Sequence, residues 1–354
     1  MIPVTILTGF LGSGKTTLLA KLLLRPELAE SALLINEVGE VAIDHLLVRK
    51  IREDMVVLAN GCLCCKVNGD LVGALRGLLF NRGRNSVARY PRVFIETSGL
   101  ADPAPVMHAL INDPYVMQHY RLDGVVTTVD AVFGAGQLDK HRESVKQAAV
   151  ADRIVISKID LVSSATCEAL STRLRRINPA APLLFAAQGE VDPKEILNTG
   201  LADTARGLKH VKQWIAADRY RPLAGIAPVV KGAPAAMHDA SVRSFVMRAE
   251  RPLAPHRLLA ALEILCALYG DKILRIKAIL NLEGHACPQV LHVVQHVVYP
   301  LVRLESWPDD DRSSALVFIV RDLDPEYVYQ ALAGVLGPET MPRTVCVDRI
   351  FLNV

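Results

Sequence analysis

The feature that most constrains the fold is a glycine-rich segment near the start of the chain. An apolar run, Val4–Thr8, precedes it and an amphipathic run, Thr16–Leu24, follows it, so the pattern predicts a strand, a loop and a helix in that order. Glycines in such a loop let backbone N–H groups converge on phosphate oxygens, and the helix start adds a positive dipole end. The segment therefore predicts a nucleoside triphosphate site in a parallel α/β domain. Its residues, called the phosphate loop below, are Gly9-Phe10-Leu11-Gly12-Ser13-Gly14-Lys15-Thr16.

Two side chains of the phosphate loop have predicted chemical roles. We expect the Lys15 ammonium to reach the β- and γ-phosphates, which makes it a candidate catalytic residue, and the Thr16 hydroxyl to bind Mg²⁺. Both roles require the spacing of glycine, lysine and threonine that the segment contains. The other nucleotide-binding residues predicted here are Gly9, Gly12, Ser13, Gly14 and Thr17.

A second Mg²⁺ ligand is expected at the end of another buried strand. Glu96 closes the apolar run Val93–Glu96, so we predict that it holds the ion through water and takes part in catalysis. The amide of Gly99, three residues further on, is predicted to contact the γ-phosphate. Asp130, which follows the apolar run Gly124–Val129, is the alternative acid, although a structural role is favoured for it.

A third strand end predicts the choice of base, through Ser157, Lys158 and Asp160. The stem of Lys158 can stack over a purine. The Asp160 carboxylate can accept hydrogen bonds from N1 and N2 of guanine, donors that adenine does not offer. The motif therefore favours GTP over ATP, with Ser157 as a supporting residue. The backbone amide of Ala187, after the last strand of this domain, is a candidate to contact guanine O6.

Three of the seven cysteines fall within four positions, at Cys62, Cys64 and Cys65. Thiolates are soft ligands that suit Zn²⁺, Co²⁺ or Cu⁺, and a clustered, odd number of cysteines fits a reduced metal site better than a disulfide framework. Glu37 and Glu40, which end the second predicted strand, are candidates for an oxygen ligand. The alternative is that the cysteines pack as small apolar residues.

Two histidines, His292 and His296, lie four residues apart in a predicted strand, Val290–Val298. Alternation along one strand would place both imidazoles on the same face of a sheet. Because the neighbouring residues are mostly valines, the pair is predicted to pack in a core rather than to bind a metal ion.

Composition excludes several classes of protein. The 354 residues carry a formal net charge of +3 with basic and acidic residues well mixed, so neither nucleic acid nor an anionic membrane is an expected partner. No apolar stretch approaches the ~20 residues that a membrane helix needs. Since the N-terminus also lacks the features of a secretory signal, a cytoplasmic protein is expected.

The periodicity along the chain predicts two domains of different class. The first is a P-loop domain whose mostly parallel sheet is covered on both faces, and the second is a smaller α+β domain with helices on one face of an antiparallel sheet. The predicted limits are residues 1–205 for the first domain, 206–240 for a linker rich in glycine, proline and alanine, and 241–354 for the second domain. Predicted strands of the first domain are Val4–Thr8, Ala32–Asn36, Met55–Ala59, Val93–Glu96, Gly124–Val129, Ile154–Ser157 and Leu183–Ala187. Predicted elements of the second are Val242–Met247, His256–Tyr269, Leu274–Leu280, Val290–Val298, Ala315–Val320 and Pro325–Leu336.

Taken in order, these motifs resemble the CobW family of P-loop GTPases. The resemblance implies a GTPase domain whose Cys-x-Cys-Cys metal site is coupled to the nucleotide, in proteins associated with supplying zinc, cobalt or iron to client metalloproteins or to cobalamin synthesis. The chain departs from the family pattern at Val38, where phenylalanine is common, at Ser157, where an asparagine would add a supporting hydrogen bond, and in lacking a histidine-rich tract. The matching segments are the phosphate loop, Asn36-Glu37-Val38-Gly39-Glu40, Gly61-Cys62-Leu63-Cys64-Cys65, Glu96-Thr97-Ser98-Gly99, Ser157-Lys158-Ile159-Asp160 and, near the C-terminus, residues 270–277, 294–296 and 307–311.

The leading hypothesis is a GTP-dependent chaperone that binds Zn²⁺ or Co²⁺ and delivers it to a client metalloprotein or metal-cofactor enzyme. Its cofactors would be GTP or GDP, Mg²⁺ and the transition metal, its intrinsic rate of hydrolysis would be low, and a homodimer is possible. Two other classes stay open. One is a non-catalytic metal sensor or store in which the nucleotide is structural, and the other is a P-loop kinase that acts on a small molecule.

Overall fold

The structure, a computed structural model, describes residues 1–28, 30–36, 57–60, 67–83, 90–197, 242–337 and 346–347. The chain forms two compact units, and each is described here by itself. The predicted linker at 206–240 lies outside the described residues. Within the described ranges, no helix is both long enough and apolar enough to cross a bilayer.

The first unit alternates strands and helices along the chain. Its seven strands pair in the order β3-β2-β4-β1-β5-β6-β7, and every pairing is parallel. This confirms the predicted fold class. The elements are β1 (Ile2–Gly9), α1 (Lys15–Leu23), β2 (Ala32–Asn36), β3 (Val57–Asn60), α2 (Val67–Gly83), β4 (Val93–Thr97), α3 (Ala104–Asn112), α4 (Pro114–His119), β5 (Tyr120–Asp130), α5 (Gly134–Lys140), α6 (Arg142–Val150), β6 (Arg153–Ser157), α7 (Ser164–Ile177), β7 (Leu183–Ala186) and α8 (Pro193–Ile196).

Burial explains why the strands of this sheet are mostly apolar. All five residues of β4 and all five of β6 are buried, as expected for a sheet that is covered on both faces. Helix α1 contributes Leu18, Leu19, Leu22 and Leu23 to one core, where they join Leu7 and other strand residues. This packing fixes the start of α1, and with it the phosphate loop, against the carboxyl edge of the sheet.

The second unit has a different topology. Its strands pair in the order β11-β10-β9-β13-β8-β14, with β12 also on β10, and each of these pairings is antiparallel. Residues of α9 and α10 form a core with one face of this sheet, as predicted for an α+β domain. The elements are β8 (Val242–Ala249), α9 (Pro255–Tyr269), β9 (Ile273–Leu280), β10 (Gln289–Val294), β11 (Val297–Val298), β12 (Val302–Arg303), β13 (Ser314–Arg321), α10 (Pro325–Leu336) and β14 (Cys346–Val347).

The predicted strand Val290–Val298 is wrong, because the segment is a hairpin. Strands β10 and β11 are joined by a two-residue turn in which Gln295 has a positive φ of 51°. His292 lies in β10 and stacks on Tyr299 with 4.6 Å between ring centroids, whereas His296 lies in the turn. The two histidines therefore do not share the face of one strand. Valines are frequent in both arms of the hairpin, so the composition alone resembles that of one continuous strand.

Candidate functional site

The phosphate loop turns sharply between β1 and α1. Gly9 has a φ of 143°, and a Cβ atom at this position would lie 2.4 Å from the Thr128 carbonyl oxygen, so only glycine fits. Gly14 has a φ of 90° and a ψ of 20° directly before α1, and no side chain caps the helix there. The first N–H groups of α1 therefore have no capping side chain, which is the arrangement that binds phosphate at a helix start.

Hydrogen bonds from the neighbouring strands hold the loop in this shape. The hydroxyls of Ser13 and Thr128 lie 2.7 Å apart, and Ser13 is fully buried. On the other side, Ser157 Oγ donates to the Ser13 carbonyl oxygen at 2.7 Å. Because β1, β5 and β6 are adjacent, the loop is fixed by two neighbouring strands before any ligand binds.

The Lys15 ammonium lies inside the curve of the loop. Its Nζ donates to the carbonyl oxygens of Gly9 at 3.0 Å and Phe10 at 3.2 Å, and the residue is buried. This geometry keeps a positive charge beside the N–H groups at the start of α1. An anion with several oxygens, such as a triphosphate chain, can contact both.

The structure brings together the two predicted Mg²⁺ ligands. Thr16 Oγ1 donates to Glu96 Oε1 at 2.7 Å, and Glu96 is only 1% exposed. The register of β4 explains the contact, since Glu96 pairs with Leu7 of β1 and with Ile35 of β2 at the carboxyl edge. A hydroxyl and a carboxylate oxygen next to a phosphate site are the hard donors that Mg²⁺ prefers, so these residues fit the ion.

The segment after Glu96 contacts the phosphate loop directly. Thr97 Oγ1 donates to Thr8 Oγ1 at 2.8 Å. A Cβ atom on Gly99 would lie 2.6 Å from the Leu11 backbone nitrogen, so the backbones of the two loops are in close contact. This places the Gly99 peptide beside the phosphate loop, where the sequence predicted a γ-phosphate contact.

The predicted guanine-binding residues lie at the end of β6. Lys158 adopts a left-handed conformation, with a φ of 57°, and its Nζ donates to the Gly12 carbonyl oxygen at 2.7 Å and to Asp130 Oδ2 at 2.5 Å. Asp130 is buried and its other oxygen accepts from the Val132 backbone N–H at 2.7 Å, which is a structural arrangement. Asp160 is exposed in the short helical turn that follows.

Ser157, where the family pattern has asparagine, is bonded to the phosphate loop through its hydroxyl. Ser157 Oγ donates to the Ser13 carbonyl oxygen and lies 3.3 Å from the Val129 carbonyl oxygen as well. That an asparagine would add a further supporting hydrogen bond stays a prediction. A Cβ atom on Gly14 would be 3.6 Å from the Ser157 side chain, so the loop and the strand end are close enough for the shorter side chain.

Ala187 lies in a tight turn that packs on α1. The Glu190 N–H donates to the Ala187 carbonyl oxygen at 3.0 Å, and a Cβ atom on Gly189 would lie 3.1 Å from Thr17. Glu190 also accepts from Lys21 Nζ at 2.9 Å. That hydrogen bond lowers the pKa of Glu190 from its ordinary value of 4.5, and the charges of Lys21 and Arg25 act in the same direction. These contacts hold the turn beside α1, whose first residues belong to the phosphate loop.

Two family profiles match this chain with the same division into two domains. The profile described as "CobW/HypB/UreG, nucleotide-binding domain" matches residues 3–185, which is more than half of the chain. The chain belongs to the CobW/HypB/UreG family. The profile described as "Cobalamin synthesis protein cobW C-terminal domain" matches residues 242–336. Both matches confirm the resemblance that the motifs indicated.

Curated and solved relatives agree with this assignment. The zinc chaperone YjiA of Escherichia coli strain K12 is 32% identical over 336 residues, covering 94% of this chain and 98% of YjiA. The zinc-regulated GTPase metalloprotein activator 1 of Schizosaccharomyces pombe is 33% identical over 205 residues, covering 56% of this chain and 49% of that protein. A crystal structure of Zn(II)-bound YjiA GTPase superposes with a TM-score of 0.67 at 27% identity, covering 94% and 98% of the two chains.

The Cys-x-Cys-Cys segment of this CobW/HypB/UreG protein lies outside the described residues, as do Glu37 and Glu40. The strand ends that lead into these segments are described. Asn36, the last residue of β2, is in register with Asn60, the last residue of β3, and with Thr97 of β4. Among the described residues, no group of three or more histidine, cysteine, aspartate or glutamate side chains could hold a metal ion.

Sequence reasoning missed two kinds of contact in the nucleotide site. The first is the support of the phosphate loop by Thr128, and the second is the hydrogen bonding of Gln147, on α6, to the segment that follows Glu96. Neither residue belongs to a motif of the CobW/HypB/UreG family quoted above. The available signal was the pair of threonines, Thr127 and Thr128, near the carboxyl end of β5, since ligands bind at the carboxyl ends of parallel strands.

Proposed function

We propose that this GTPase of the CobW/HypB/UreG family is a metallochaperone that binds Zn²⁺ or Co²⁺ through Cys62, Cys64, Cys65 and Glu37. GTP hydrolysis would then deliver the metal to a client metalloprotein or metal-cofactor enzyme. One observation supports the proposal: Glu96 of β4 contacts Thr16 of the phosphate loop, and β2 and β3, next in the sheet, end at Asn36 and Asn60, in register with Thr97, the residue after Glu96.

Only one or two residues separate the proposed metal ligands Glu37 and Cys62 from the ends of β2 and β3. Glu37 follows β2 by one residue and Cys62 follows β3 by two, while neighbouring strands lie about 4.8 Å apart. One or two residues span at most about 7 Å, so these side chains start from adjacent points of one sheet edge. Helix α2 begins at Val67, two residues after Cys65, and a helix start favours negatively charged thiolates.

In the proposed reaction, Lys15 and the N–H groups at the start of α1 bind and orient the triphosphate. Thr16 and Glu96 would hold Mg²⁺, which neutralises charge on the phosphate oxygens when it is bound. Gly99 would contact the terminal phosphate through its N–H. Lys158 covers the phosphate loop from the side, and Asp160 would accept hydrogen bonds from guanine. The proposed intrinsic rate of hydrolysis is low, because the sequence motifs identify neither an arginine that would neutralise the developing charge nor a glutamine that would orient the attacking water.

Coupling between the sites would pass through the end of β4. Glu96 contacts Thr16 on one side, and its strand neighbour on the other side is β2, which leads to Glu37. A change at Thr16 and Glu96 between GTP and GDP would therefore alter the support of the metal-binding segment. Such coupling is reciprocal, so the metal must tighten GTP binding by the factor by which GTP tightens metal binding.

The names of the relatives support zinc as the first metal to test. YjiA is described as a zinc chaperone and its crystal structure as Zn(II)-bound, and the fission-yeast protein is described as a zinc-regulated activator of metalloproteins. Cobalt is the second candidate, because thiolate ligands accept both ions and selection between them depends on geometry and supply.

The deciding experiment is a competition titration of Zn²⁺ and of Co²⁺ against a chromophoric chelator, with Mg²⁺ and either a non-hydrolysable GTP analogue or GDP. We expect tighter binding with the analogue by about 5- to 150-fold, the usual range of coupling between two sites. The variant Cys64→Ser/Cys65→Ser should lose this tight binding. Cys167→Ser is the matched control, because Cys167 is a half-buried free cysteine in the same unit.

Two results would contradict the proposal. Equal metal affinity with analogue, GDP and no nucleotide would mean that the two sites are independent, as in a sensor or store. Transfer of phosphate from GTP to an acceptor other than water would indicate a kinase. Loss of zinc in the Cys167→Ser control would show that the cysteine cluster was not the site being measured.

A further inference from the structure

A buried glutamine holds the segment that follows Glu96. Gln147, on α6, is 1% exposed, and its Nε2 donates to the carbonyl oxygens of Gly99 at 3.1 Å and Ala101 at 3.1 Å. Both protons of the amide are therefore used by one short loop. This loop, residues 97–102, is called the sensing loop below, because Gly99 is the proposed γ-phosphate contact.

The orientation of the Gln147 amide follows from its two partners. Among the described residues, Oε1 has no hydrogen-bond partner, whereas Nε2 faces two carbonyl oxygens. The opposite orientation would place an acceptor against two acceptors. Within the described residues, both hydrogen bonds of the Gln147 side chain therefore go to the sensing loop.

The residue before Gln147 holds the other end of the same loop. Lys146 Nζ pairs with Asp102 Oδ2 at 2.8 Å, and Asp102 Oδ1 accepts from the Ala104 N–H at the start of α3. Two consecutive residues of α6 therefore fix both the middle and the end of the sensing loop.

Helix α6 is itself tied to the sheet and to the phosphate loop. The main-chain oxygen of Gln147 accepts from Thr127 Oγ1 of β5 at 2.8 Å. At the start of the helix, His141 stacks on Phe10 with 4.4 Å between ring centroids. These two contacts attach α6 to β5 and to the phosphate loop, so α6 helps to fix the position of the sensing loop relative to the phosphate loop.

The backbone of Gly99 lies close to that of Leu11 in the phosphate loop. A Cβ atom on Gly99 would lie 2.6 Å from the Leu11 backbone nitrogen, so there is no room for a side chain between the two loops. A shift of the sensing loop away from the phosphate loop would change the distances from Gln147 Nε2 to the two carbonyl oxygens that it binds.

We propose that Gln147 is a positioning residue that sets how well this GTPase distinguishes GTP from GDP, by holding Gly99 where its N–H meets the terminal phosphate. The inference rests on the proposed GTP site but not on the metal site. GDP lacks the phosphate that Gly99 would contact, so its binding should depend little on Gln147. Binding of GTP and its hydrolysis should depend on it strongly.

The test uses Gln147→Met, which keeps the length of the side chain and removes both donors. Affinities for fluorescent GDP and for a fluorescent non-hydrolysable GTP analogue are measured with Mg²⁺ and without a transition metal. We expect analogue affinity to fall roughly tenfold, the effect of losing two neutral hydrogen bonds, while GDP affinity stays within about twofold. The hydrolysis rate kcat should fall at least as much as analogue affinity.

Two further variants separate positioning from plain stability. Thr127→Val removes one hydrogen bond between α6 and β5 and keeps both bonds from Gln147 to the sensing loop, so it should change the analogue-to-GDP affinity ratio much less than Gln147→Met does. Lys146→Met acts at a more exposed position and removes the pair with Asp102. It should lower the same ratio by about twofold to threefold, and it provides the test if Gln147→Met does not fold.

Equal loss of analogue and GDP affinity in Gln147→Met would overturn the inference, as would the same change of ratio in Thr127→Val. A wild-type protein that does not distinguish the two nucleotides would also overturn it. Because no transition metal is present, metal binding that proves indifferent to nucleotide would refute the metallochaperone proposal and leave this result standing.

Discussion

The two sheets of this protein place their buried polar residues differently. In the parallel sheet one set of them, Thr8, Glu96, Thr128 and Ser157, is buried at or near the carboxyl ends of four strands. In the antiparallel sheet the buried residues with charged or imidazole side chains, Arg275, Lys277 and His292, lie within the strands. Lys277 of β9, for example, is buried and in register with His292 of β10.

Topology accounts for the contrast. Parallel strands bring all their carboxyl ends to one edge, so residues from distant parts of the chain can meet around one ligand. Antiparallel neighbours run in opposite directions and share no such edge, so their polar residues meet across strands instead. We therefore expect substitutions at the edge of the first sheet to change activity, and substitutions in the second sheet to change stability.

The largest effect on this contrast is expected for Lys15→Met. Removing the ammonium that the loop carbonyls hold should lower kcat/KM for GTP hydrolysis by about 10²- to 10³-fold, the usual cost of losing a preorganised contact to developing charge. A phosphate-release assay measures it. Lys21→Met, on the exposed side of the same helix, is the control and should change the rate by less than about twofold. Activity above a tenth of wild type in Lys15→Met would contradict the role given to this lysine.

Phe318→Ala tests the other sheet. Phe318 is fully buried and stacks on Phe245 with 5.0 Å between centroids, so the substitution should lower the free energy of unfolding of its unit by about 3–5 kcal/mol. Urea denaturation measures this, and GTP hydrolysis by the folded protein should not change. Tyr327→Ala, at an exposed position on α10, should cost about 0.5 kcal/mol or less. A fall in GTP hydrolysis with Phe318→Ala in native buffer would contradict the expectation that substitutions in the second sheet change stability and not activity.

A smaller effect is expected for Ser157→Ala, which removes the hydroxyl that binds the Ser13 carbonyl oxygen. The loss of one buried hydrogen bond should lower the free energy of unfolding by about 1 kcal/mol and weaken nucleotide binding several-fold. Ser171→Ala is the matched control, because Ser171 is equally buried and bonds the Cys167 carbonyl oxygen within α7. The Ser171→Ala variant should be less stable than the wild type but should bind nucleotide with unchanged affinity. An equal loss of nucleotide affinity in the two variants would contradict a specific role of Ser157 in the nucleotide site.

The smallest effect is expected for Glu190→Gln, which ends the ion pairs with Lys21 and Arg25. Since the hydrogen bond from Lys21 lowers the pKa of Glu190, its stabilisation is present above the unfolded-state pKa and is lost as the pH falls through the folded-state pKa. At pH 7 the variant should be less stable by about 0.5 kcal/mol or less, because the pairs are exposed. The difference should shrink as the pH falls through the folded-state pKa of Glu190, and a difference that grows on acidification would have the wrong sign.

Much of the fold could be predicted because the physical signal is local. The apolar runs at Val4–Thr8, Ala32–Asn36 and Val93–Glu96 coincide with β1, β2 and β4 to within two residues, since strands buried on both faces consist mostly of apolar residues. The hairpin at Gln295 could not be predicted in the same way. Its turn contains no glycine or asparagine, and the tertiary setting stabilises a positive φ at a glutamine.

The candidate site likewise contains some contacts that the sequence predicts and others that it does not. The positions of Lys15, Thr16 and Glu96 relative to strand ends follow from the motif spacing, and the structure brings the side chains of Thr16 and Glu96 together. No local sequence pattern predicts the hydrogen bonds from Gln147 to the sensing loop, because they depend on how α6 packs against a segment nearly fifty residues earlier in the chain. Contacts of that kind are visible only once the fold is known.

The hydrogen bonds that close the phosphate loop have a consequence for synthesis of the protein. Ser13 meets Thr128 across 115 residues, and Ser157 meets Ser13 across 144. A nascent chain that ends before β6 contains the whole phosphate-loop motif but lacks one of the two side chains that shape it. Contacts across such separations form late, after long loops have closed. Cellular GTP, which stabilises only the folded form, therefore favours chains in which β6 has already joined the sheet.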